Sequence, residues 1–438
     1  MPDRKYASVL TVGCRLNQTD TALIYAQLKK GGFEIEKPET EKRLSLVIVN
    51  TCSVTSSASQ KSRQYARAIK EKHPNAIIVV TGCDIEVDKE KWKEVGVDIA
   101  IPNSDKTNVL SYLKDKFEIP TERLNQNHSE SFETFKEDSA GLFPFKSRAN
   151  LKIQDGCDSF CTYCIVPYGR GKPRSREWGD TLREFRELVE AGFSEIVLTG
   201  VNIATYNDHN RNLVDLMEEM VKAEGDFRIR LGSAEPQFSM KGLLEIMASS
   251  KKICRFLHLP LQHGSNKILK AMSRNYTQEE FFAFIRKAVQ LIPDICLGSD
   301  VIVGFPGETE ADFADCKSFL ESLPLAYLHV FSYSKREGTP AASFDNQVPS
   351  KVSAQRHKTL TQLGVELSSK FLMAQINKTA SIIPEKTSDG IITGWTDNYI
   401  KVSVPIAEEK IDKLMSKSFL KIKLIKPVGH REMTGELV

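Results

Sequence analysis

The chain has 438 residues, 41% hydrophobic and 27% charged, the balance of an ordinary globular protein. That length exceeds what one hydrophobic core organises and implies two or three domains. A formal net charge of +3 excludes nucleic-acid binding by bulk charge, so any such site must be a local patch. No apolar run is long enough to span a bilayer. The opening MPDRKYASVLTVG lacks the apolar stretch and cleavage site of a secretory signal, so a cytoplasmic chain with no membrane partner is expected.

In chain order, YASVLTV (6–12) predicts a buried strand and TDTALIYAQLKKGG (19–32) a helix closed by glycine. LVIVN (46–50) predicts a second strand, 56–72 a helix and AIIVVTG (76–82) a third strand. Strands alternating with helices imply an α/β domain with a doubly wound parallel sheet, here over 1–120. Residues 121–144 are polar and weakly periodic, and are expected to be a linker.

The alternation then resumes in LKIQ (151–154), EIVLTG (195–200), FRIRLGS (227–233), RFLHLPL (255–261), ICLGSDVIVG (295–304) and YLHVFSY (327–333). Six strand–helix units predict a partial (βα)6 barrel over 145–374, with its site at the carboxyl ends of the strands. A long amphipathic helical pattern covers 350–377. Over 375–438 the period shifts to short strands, IITGW, NYIKVSV and FLKIKLIKP, which predict a small all-β, OB-like barrel of the kind used on RNA.

Nine cysteines in a chain expected to stay reduced argue for metal ligation rather than a disulfide framework. DGCDSFCTYCIVPYGRG spaces Cys157, Cys161 and Cys164 as C-x3-C-x2-C directly after a predicted strand. Three thiolates this close can bind three irons of one cubane cluster and leave the fourth iron open. An open iron suits chelation of the amino and carboxylate groups of S-adenosylmethionine (SAM), and reductive cleavage of its sulfonium then yields a 5′-deoxyadenosyl radical. A structural zinc site would need a fourth ligand, and the loop contains no further Cys or His.

Cys14, Cys52 and Cys83 are far apart in sequence, yet each follows a predicted strand, in TVGC, NTC and TGC. In a parallel sheet those carboxyl ends share one edge, so three thiolates would converge there and could hold a second 4Fe–4S cluster. The plainer alternative is three buried cysteines packed as small hydrophobes. Cys254, Cys296 and Cys316 lie inside apolar patterns and are expected in the core.

With these pieces go TVGCRLNQTD, NTCSVT, VTGC, LTGVNIATY, RLGSAEP, HLPLQHGSNKILKAMSRNYT, GSDVIVGFPGETEADF and FSYSKREGTPA. Together they resemble the radical-SAM methylthiotransferases over essentially the whole chain. The resemblance implies a SAM-cleaving cluster on Cys157, Cys161 and Cys164, and an auxiliary, sulfur-delivering cluster on Cys14, Cys52 and Cys83. It also implies a C-terminal TRAM domain, one SAM as methyl donor, a second as radical source, and an external electron donor. GCDSFCTYCIVPYGRGKPRSR and GWTDNYIKV look most like the branch that modifies C2 of N6-threonylcarbamoyladenosine at position 37, beside the tRNA anticodon. The sister branches act on isopentenyladenosine or on an aspartate of a ribosomal protein. A rival of another class is a non-catalytic iron–sulfur RNA-binding protein.

The same pattern assigns Thr199, Asn202, Ser233, Glu235 and Gln262 to the SAM pocket, each near a strand end where loop solvation or helix capping is the plainer role. GFPGE (304–308) predicts a tight turn beside the adenine, lacking the lysine of a phosphate loop. His258 and His263 are expected as satisfied core or pocket residues rather than metal ligands. Arg170, Lys172, Arg174 and Arg176, with Lys146, Arg148 and Lys152, form a basic run suited to the phosphates of an anticodon loop. Lys421 and Lys423 add charge in the C-terminal barrel, and Trp395 and Tyr399 offer faces for an unstacked base. A monomer is expected.

Overall fold

The structure is a computed structural model that describes residues 5–120, 134–137, 148–236 and 241–438. Most of the expected linker, and Lys146, lie outside the described residues. The chain divides into two compact units. The first comprises Met1–Phe143, Gln154–Asp180 and Ser334–Ala342, and the second Pro144–Ile153, Thr181–Tyr333 and Ser343–Val438.

In the first unit five strands run parallel in the order Glu34–Ile35, Tyr6–Thr11, Leu46–Thr51, Ile77–Gly82 and Ile99–Ala100. The central strand LVIVNT is buried along its whole length. Its alternate residues feed two cores, as the period of two requires. Leu46 and Ile48 pack with Ile24, Leu28 and Leu113 on one face. Val49 packs with Ala66 and Trp92, and Val47 with Ile69, on the other. Helices therefore cover both faces of a doubly wound sheet, as expected. The helix expected over 19–32 spans Arg15–Lys30 and begins directly after Cys14. Its polar first turn hid the early start, because Asn17, Thr19 and Asp20 are buried although they carry no apolar pattern.

The second unit carries six parallel strands in chain order. Ala149–Lys152, Glu195–Thr199 and Arg228–Leu231 form one sheet. Phe256–His258, Cys296–Val303 and Tyr327–Ser332 form another. Isolated bridges, Ile229 to Ile253 and Ser233 to His258, join the two into one row, the expected partial barrel. After the helix Ser350–Met373, a closed five-stranded barrel is filled by Ile382, Ile392, Ile400, Val402, Ile422 and Met433.

One ion network ties that barrel to the parallel strands. Glu195 is fully buried and receives Arg228 Nε at 2.7 Å and Arg230 Nε and Nη2 each at 2.8 Å. The same arginines reach the barrel, where Arg228 donates to the Trp395 carbonyl at 2.9 Å and Arg230 to the Thr396 and Asp397 carbonyls at 3.0 Å. Burial alone would raise the Glu195 carboxyl, but Arg230 and Arg228 outweigh it and hold the group well below the usual carboxylate range. A depressed folded-state pKa stabilises fully above the unfolded value, about 4.3, and that stabilisation is lost as pH falls through the lower folded value. Glu195→Gln leaves the arginine charges buried without compensation, so denaturant unfolding should report a loss of about 3–5 kcal/mol at neutral pH that shrinks in acid.

Candidate active site

Two sets of cysteines belong to the first unit. Gly13, at φ +106°, turns the chain after Tyr6–Thr11 so tightly that a Cβ there would lie 2.5 Å from Cys52 Cβ. Gly82, at φ +99°, presses against the Thr51 backbone at 2.6 Å by the same measure. Only glycine tolerates both the angle and the approach. Cys14, Cys52 and Cys83 thus stand at three strand ends beside the point where the strand order reverses, the usual ligand crevice of such sheets.

Asn17 fastens this edge, its Nδ2 donating to the carbonyls of Val12 at 2.7 Å and Thr51 at 2.8 Å. Thr51 Oγ1 donates to the Thr81 carbonyl at 2.7 Å and accepts from the Asp84 N–H at 3.1 Å. The Cys52 thiol is pushed up to about 11, chiefly by burial and further by Cys14 and Cys83. Burial pushes Cys83 up as well, with Arg170 and Lys106 opposing. Three thiols in one another's field, two of them buried and backed by cations, fit an iron–sulfur cluster that displaces their protons. No disulfide joins any of the nine cysteines.

The second set sits on a loop whose first turn is equally constrained. Gly156 has φ +75°, and a side chain there would run into the Lys172 carbonyl. Cys157 N–H donates to Gly171 O at 3.0 Å and Cys164 N–H to Cys161 O at 2.9 Å, folding the loop back on itself. Cys161 is buried, whereas Cys157 and Cys164 are half-exposed. Three sulfurs on one tight turn again fit a cluster with one iron unligated by protein.

Arg170 ends the short helix Val166–Arg170 that follows this loop. It is 8% exposed and donates to Asp155 Oδ1 at 2.8 Å, Asn17 Oδ1 at 2.6 Å and Asp20 Oδ2 at 3.1 Å. Desolvation works against its charge, but Cys83, Asp155 and Asp20 outweigh it and keep the guanidinium ionised. Lys106 joins the array at 2.7 Å from Asp20. The expectation that Arg170 grips RNA phosphate is therefore corrected, because its donors are spent inside the fold. Arg176 is corrected likewise, being fully buried on Asp180 at 2.6 Å and the Glu137 carbonyl at 3.0 Å. Lys172 is exposed, and the half-buried Arg174 lies 5.8 Å from the Phe135 ring.

In the second unit the expected SAM-pocket residues lie at or just past strand ends. Thr199 is buried and donates to the Val197 carbonyl at 3.2 Å. Asn202 is buried and caps the turn Ile203–Thr205, accepting from Ala204 N–H at 3.2 Å. Ser233 is exposed and bridged to His258. Glu235 is half-buried in an ion pair with Arg274. Gln262, at φ +69°, is bridged to Val301, its N–H donating to Asp300 O at 2.8 Å. In GFPGE, Glu308 turns back to the Gly304 N–H, with Arg356 at 3.3 Å and the fully buried His263 at 3.4 Å. His263 Nδ1 accepts from the Ser265 N–H at 2.9 Å, whereas its Nε2 makes no hydrogen bond, so this core histidine is only half satisfied.

The base-stacking expectation for Trp395 and Tyr399 is corrected too. They stack on each other at 4.7 Å, with Arg148 5.4 Å from the Trp395 ring and Phe256 4.6 Å from that of Tyr399. Lys152 is buried, and Arg148 pairs with Glu385 at 2.7 Å. On the strand Leu420–Gly429, Lys421 is exposed and Lys423 half-buried. Sequence reasoning passed over Asp20, Lys106, Asp155, Asp300 and His329, although a lone aspartate in the apolar run ICLGSDVIVG was a signal.

Comparison with known proteins now decides the family. Residues 151–320 match the Radical SAM superfamily, and residues 6–101 match Uncharacterized protein family UPF0004. The Bacillus subtilis threonylcarbamoyladenosine tRNA methylthiotransferase MtaB is 35% identical over 98% of this chain and 95% of its own length. The chain belongs to the radical-SAM methylthiotransferases. An Alkaliphilus oremlandii tRNA-2-methylthio-N(6)-dimethylallyladenosine synthase is 34% identical over 94% of this chain and 90% of its own. In fold, the chain is similar to the radical SAM methyltransferase TsrM of Kitasatospora setae, at TM-score 0.58 and 13% identity over 89% of this chain and 80% of that one. This methylthiotransferase is accordingly an enzyme that uses SAM and 4Fe–4S clusters. Among the described residues no helix is long and apolar enough to cross a membrane.

The buried Arg170 array generates a direct test. Arg170→Met should cost about 3–5 kcal/mol in denaturant unfolding of the full chain followed by circular dichroism, because two buried carboxylates, Asp155 and Asp20, are left with Lys106 alone to offset them. A loss under 1 kcal/mol would show the array to be dispensable.

Proposed function

We propose that this methylthiotransferase acts on tRNA and inserts a methylthio group at C2 of N6-threonylcarbamoyladenosine at position 37, beside the anticodon. In this reading Cys157, Cys161 and Cys164 hold the SAM-cleaving cluster, and Cys14, Cys52 and Cys83 the auxiliary one. The observation that carries it is the meeting of three strand-end thiols, from strands far apart in sequence, in the same compact unit as the C-x3-C-x2-C loop. Loaded, the two clusters supply reductive SAM cleavage and a sulfur source, chemistry that no side chain provides.

The protein's own share is positioning and solvent exclusion. Ser233, Glu235 and Gln262 hydrogen-bond the ribose and methionine groups of SAM, with Thr199 and Asn202 shaping the pocket wall. Arg170 and Lys106 offset the negative charge that thiolate ligation brings to a buried edge. Lys172 and Arg174, with Lys421 and Lys423 on the C-terminal barrel, contact the phosphates of an anticodon loop whose target base can be splayed out at modest cost. The division of labour follows the sequence: 1–120 for the auxiliary cluster, 145–374 for SAM, 375–438 for RNA. An external reductant supplies electrons to a monomer in the cytoplasm.

The test is mass spectrometry of tRNA nucleosides from a host lacking this activity, with and without the gene. A new 2-methylthio-threonylcarbamoyladenosine peak is expected. A new 2-methylthio-isopentenyladenosine peak would move the enzyme to the sister branch. Unchanged tRNA nucleosides from a protein that still cleaves SAM would remove tRNA as the substrate.

A further inference from the structure

Three titratable side chains meet on the inner face of the second unit's parallel strands. The ligand atoms of His258, Asp300 and His329 all lie within 4.8 Å of one another. Asp300 Oδ1 is 3.0 Å from His258 Nε2 and 3.2 Å from His329 Nδ1. The register explains the meeting, since Asp300 pairs directly with His329 on the neighbouring strand and His258 with Gly298, two residues earlier.

The face they occupy follows from alternation. Leu328 lies against the helix Ser350–Met373, with its Cβ 3.3 Å from where a Cβ on Gly364 would stand. Tyr327, His329 and Phe331 therefore point away from that helix, into the concavity of the strands. Gly298 completes the arrangement, because any side chain there would collide with the Tyr327 ring. The ring thus lies across the strand and brings its hydroxyl to His258 Nδ1 at 2.9 Å. With Nδ1 engaged by Tyr327, Nε2 is aimed at Asp300, so the cluster is built rather than accidental.

It is also open. The His329 and Asp300 side chains are 44% and 23% exposed, and Phe331, farther along the same edge strand as His329, is 43% exposed. Its backbone is continuous with the segments assigned to SAM, since His258 is bridged to Ser233 and Asp300 O accepts the Gln262 N–H. Burial favours protonating Asp300, but hydrogen bonds from His258 and His329 outweigh it and hold the carboxylate ionised.

We infer that His258, Asp300 and His329 form the recognition site for the polar, carboxylate-bearing substituent on N6 of the adenosine, with His329 donating to its carboxylate and Asp300 accepting from its N–H or hydroxyl groups. This rests on the threonylcarbamoyladenosine reading. An isopentenyl group offers neither partner and would desolvate the cluster without repayment, at about 1–3 kcal/mol per stranded group. Sites of this kind discriminate far better than apolar pockets do. Tyr327 is a positioning residue that fixes His258.

The experiment uses the full-length holoenzyme and one tRNA prepared in two forms, with and without the threonylcarbamoyl group. The wild type is expected to bind the modified form more tightly. His329→Ala, an exposed position that the fold tolerates, should cut that preference about ten-fold, the worth of one charge-assisted hydrogen bond, while SAM affinity stays unchanged. Asp300→Asn should act in the same direction. The inference is overturned if the preference survives both substitutions, if SAM affinity falls in parallel, or if the holoenzyme carries one zinc per chain that His329→Ala removes. A wild type that neither prefers nor methylthiolates the modified form would sink the substrate reading itself, a result distinguishable from failure of the His329 variant alone.

Discussion

An arginine side chain removed from water is costly unless its charge and its donors are all met, and Arg170 is removed almost completely. What meets it comes from two places in the sequence: Asn17 and Asp20 on the helix after Cys14, and Asp155 just before Cys157. Asn17 in turn holds the carbonyls that precede Gly13 and Cys52. Gly169, next to Arg170 in the chain, lies so close to Cys83 that a Cβ there would stand 3.3 Å from Cys83 Cβ. The turns carrying both cysteine sets are therefore referenced to one guanidinium. Loosening it would free the loops on either side, and this is why the loop 154–180 shares a compact unit with the N-terminal sheet.

The second unit obeys a related economy. Its parallel strands bury the usual apolar residues against helices, but their inner face carries charge at two levels. Near the strand starts the Glu195 network is buried, and the arginines bond through all three of their nitrogens to the carboxylate or to barrel carbonyls. Farther along, His258, Asp300 and His329 are coupled to one another but left partly open. Closed charge fixes the barrel on its strands; open charge is available to a ligand. The distinction is one of exposure and leftover hydrogen-bonding capacity, not of residue type.

Much of this was legible. Glycine–cysteine pairs after apolar runs announced strand ends, and a parallel sheet forces such ends onto one edge, so Cys14, Cys52 and Cys83 could be joined from sequence alone. The partial barrel followed from six apolar runs in regular alternation. The failures share one cause. Arg170 and Arg176 read as a basic run suited to phosphate because their carboxylate partners are remote or not periodic, Asp20 lying 150 positions from Arg170. Trp395 and Tyr399 read as open faces because the rings and guanidinium that cover them come from Phe256 and Arg148. Local pattern reports which residues are apolar. It is silent on which charges will find each other when distant strands close.

The central claim is that two separate cysteine triads each hold a cluster. Mössbauer spectroscopy of iron-57-reconstituted protein addresses it, with Cys14, Cys52 and Cys83 replaced by alanine in one variant and Cys157, Cys161 and Cys164 in another. Each variant should retain a single 4Fe–4S signal and about half of the wild-type iron, with SAM perturbing only the cluster on Cys157, Cys161 and Cys164. Full iron in the first variant, or none in the second, would contradict the account.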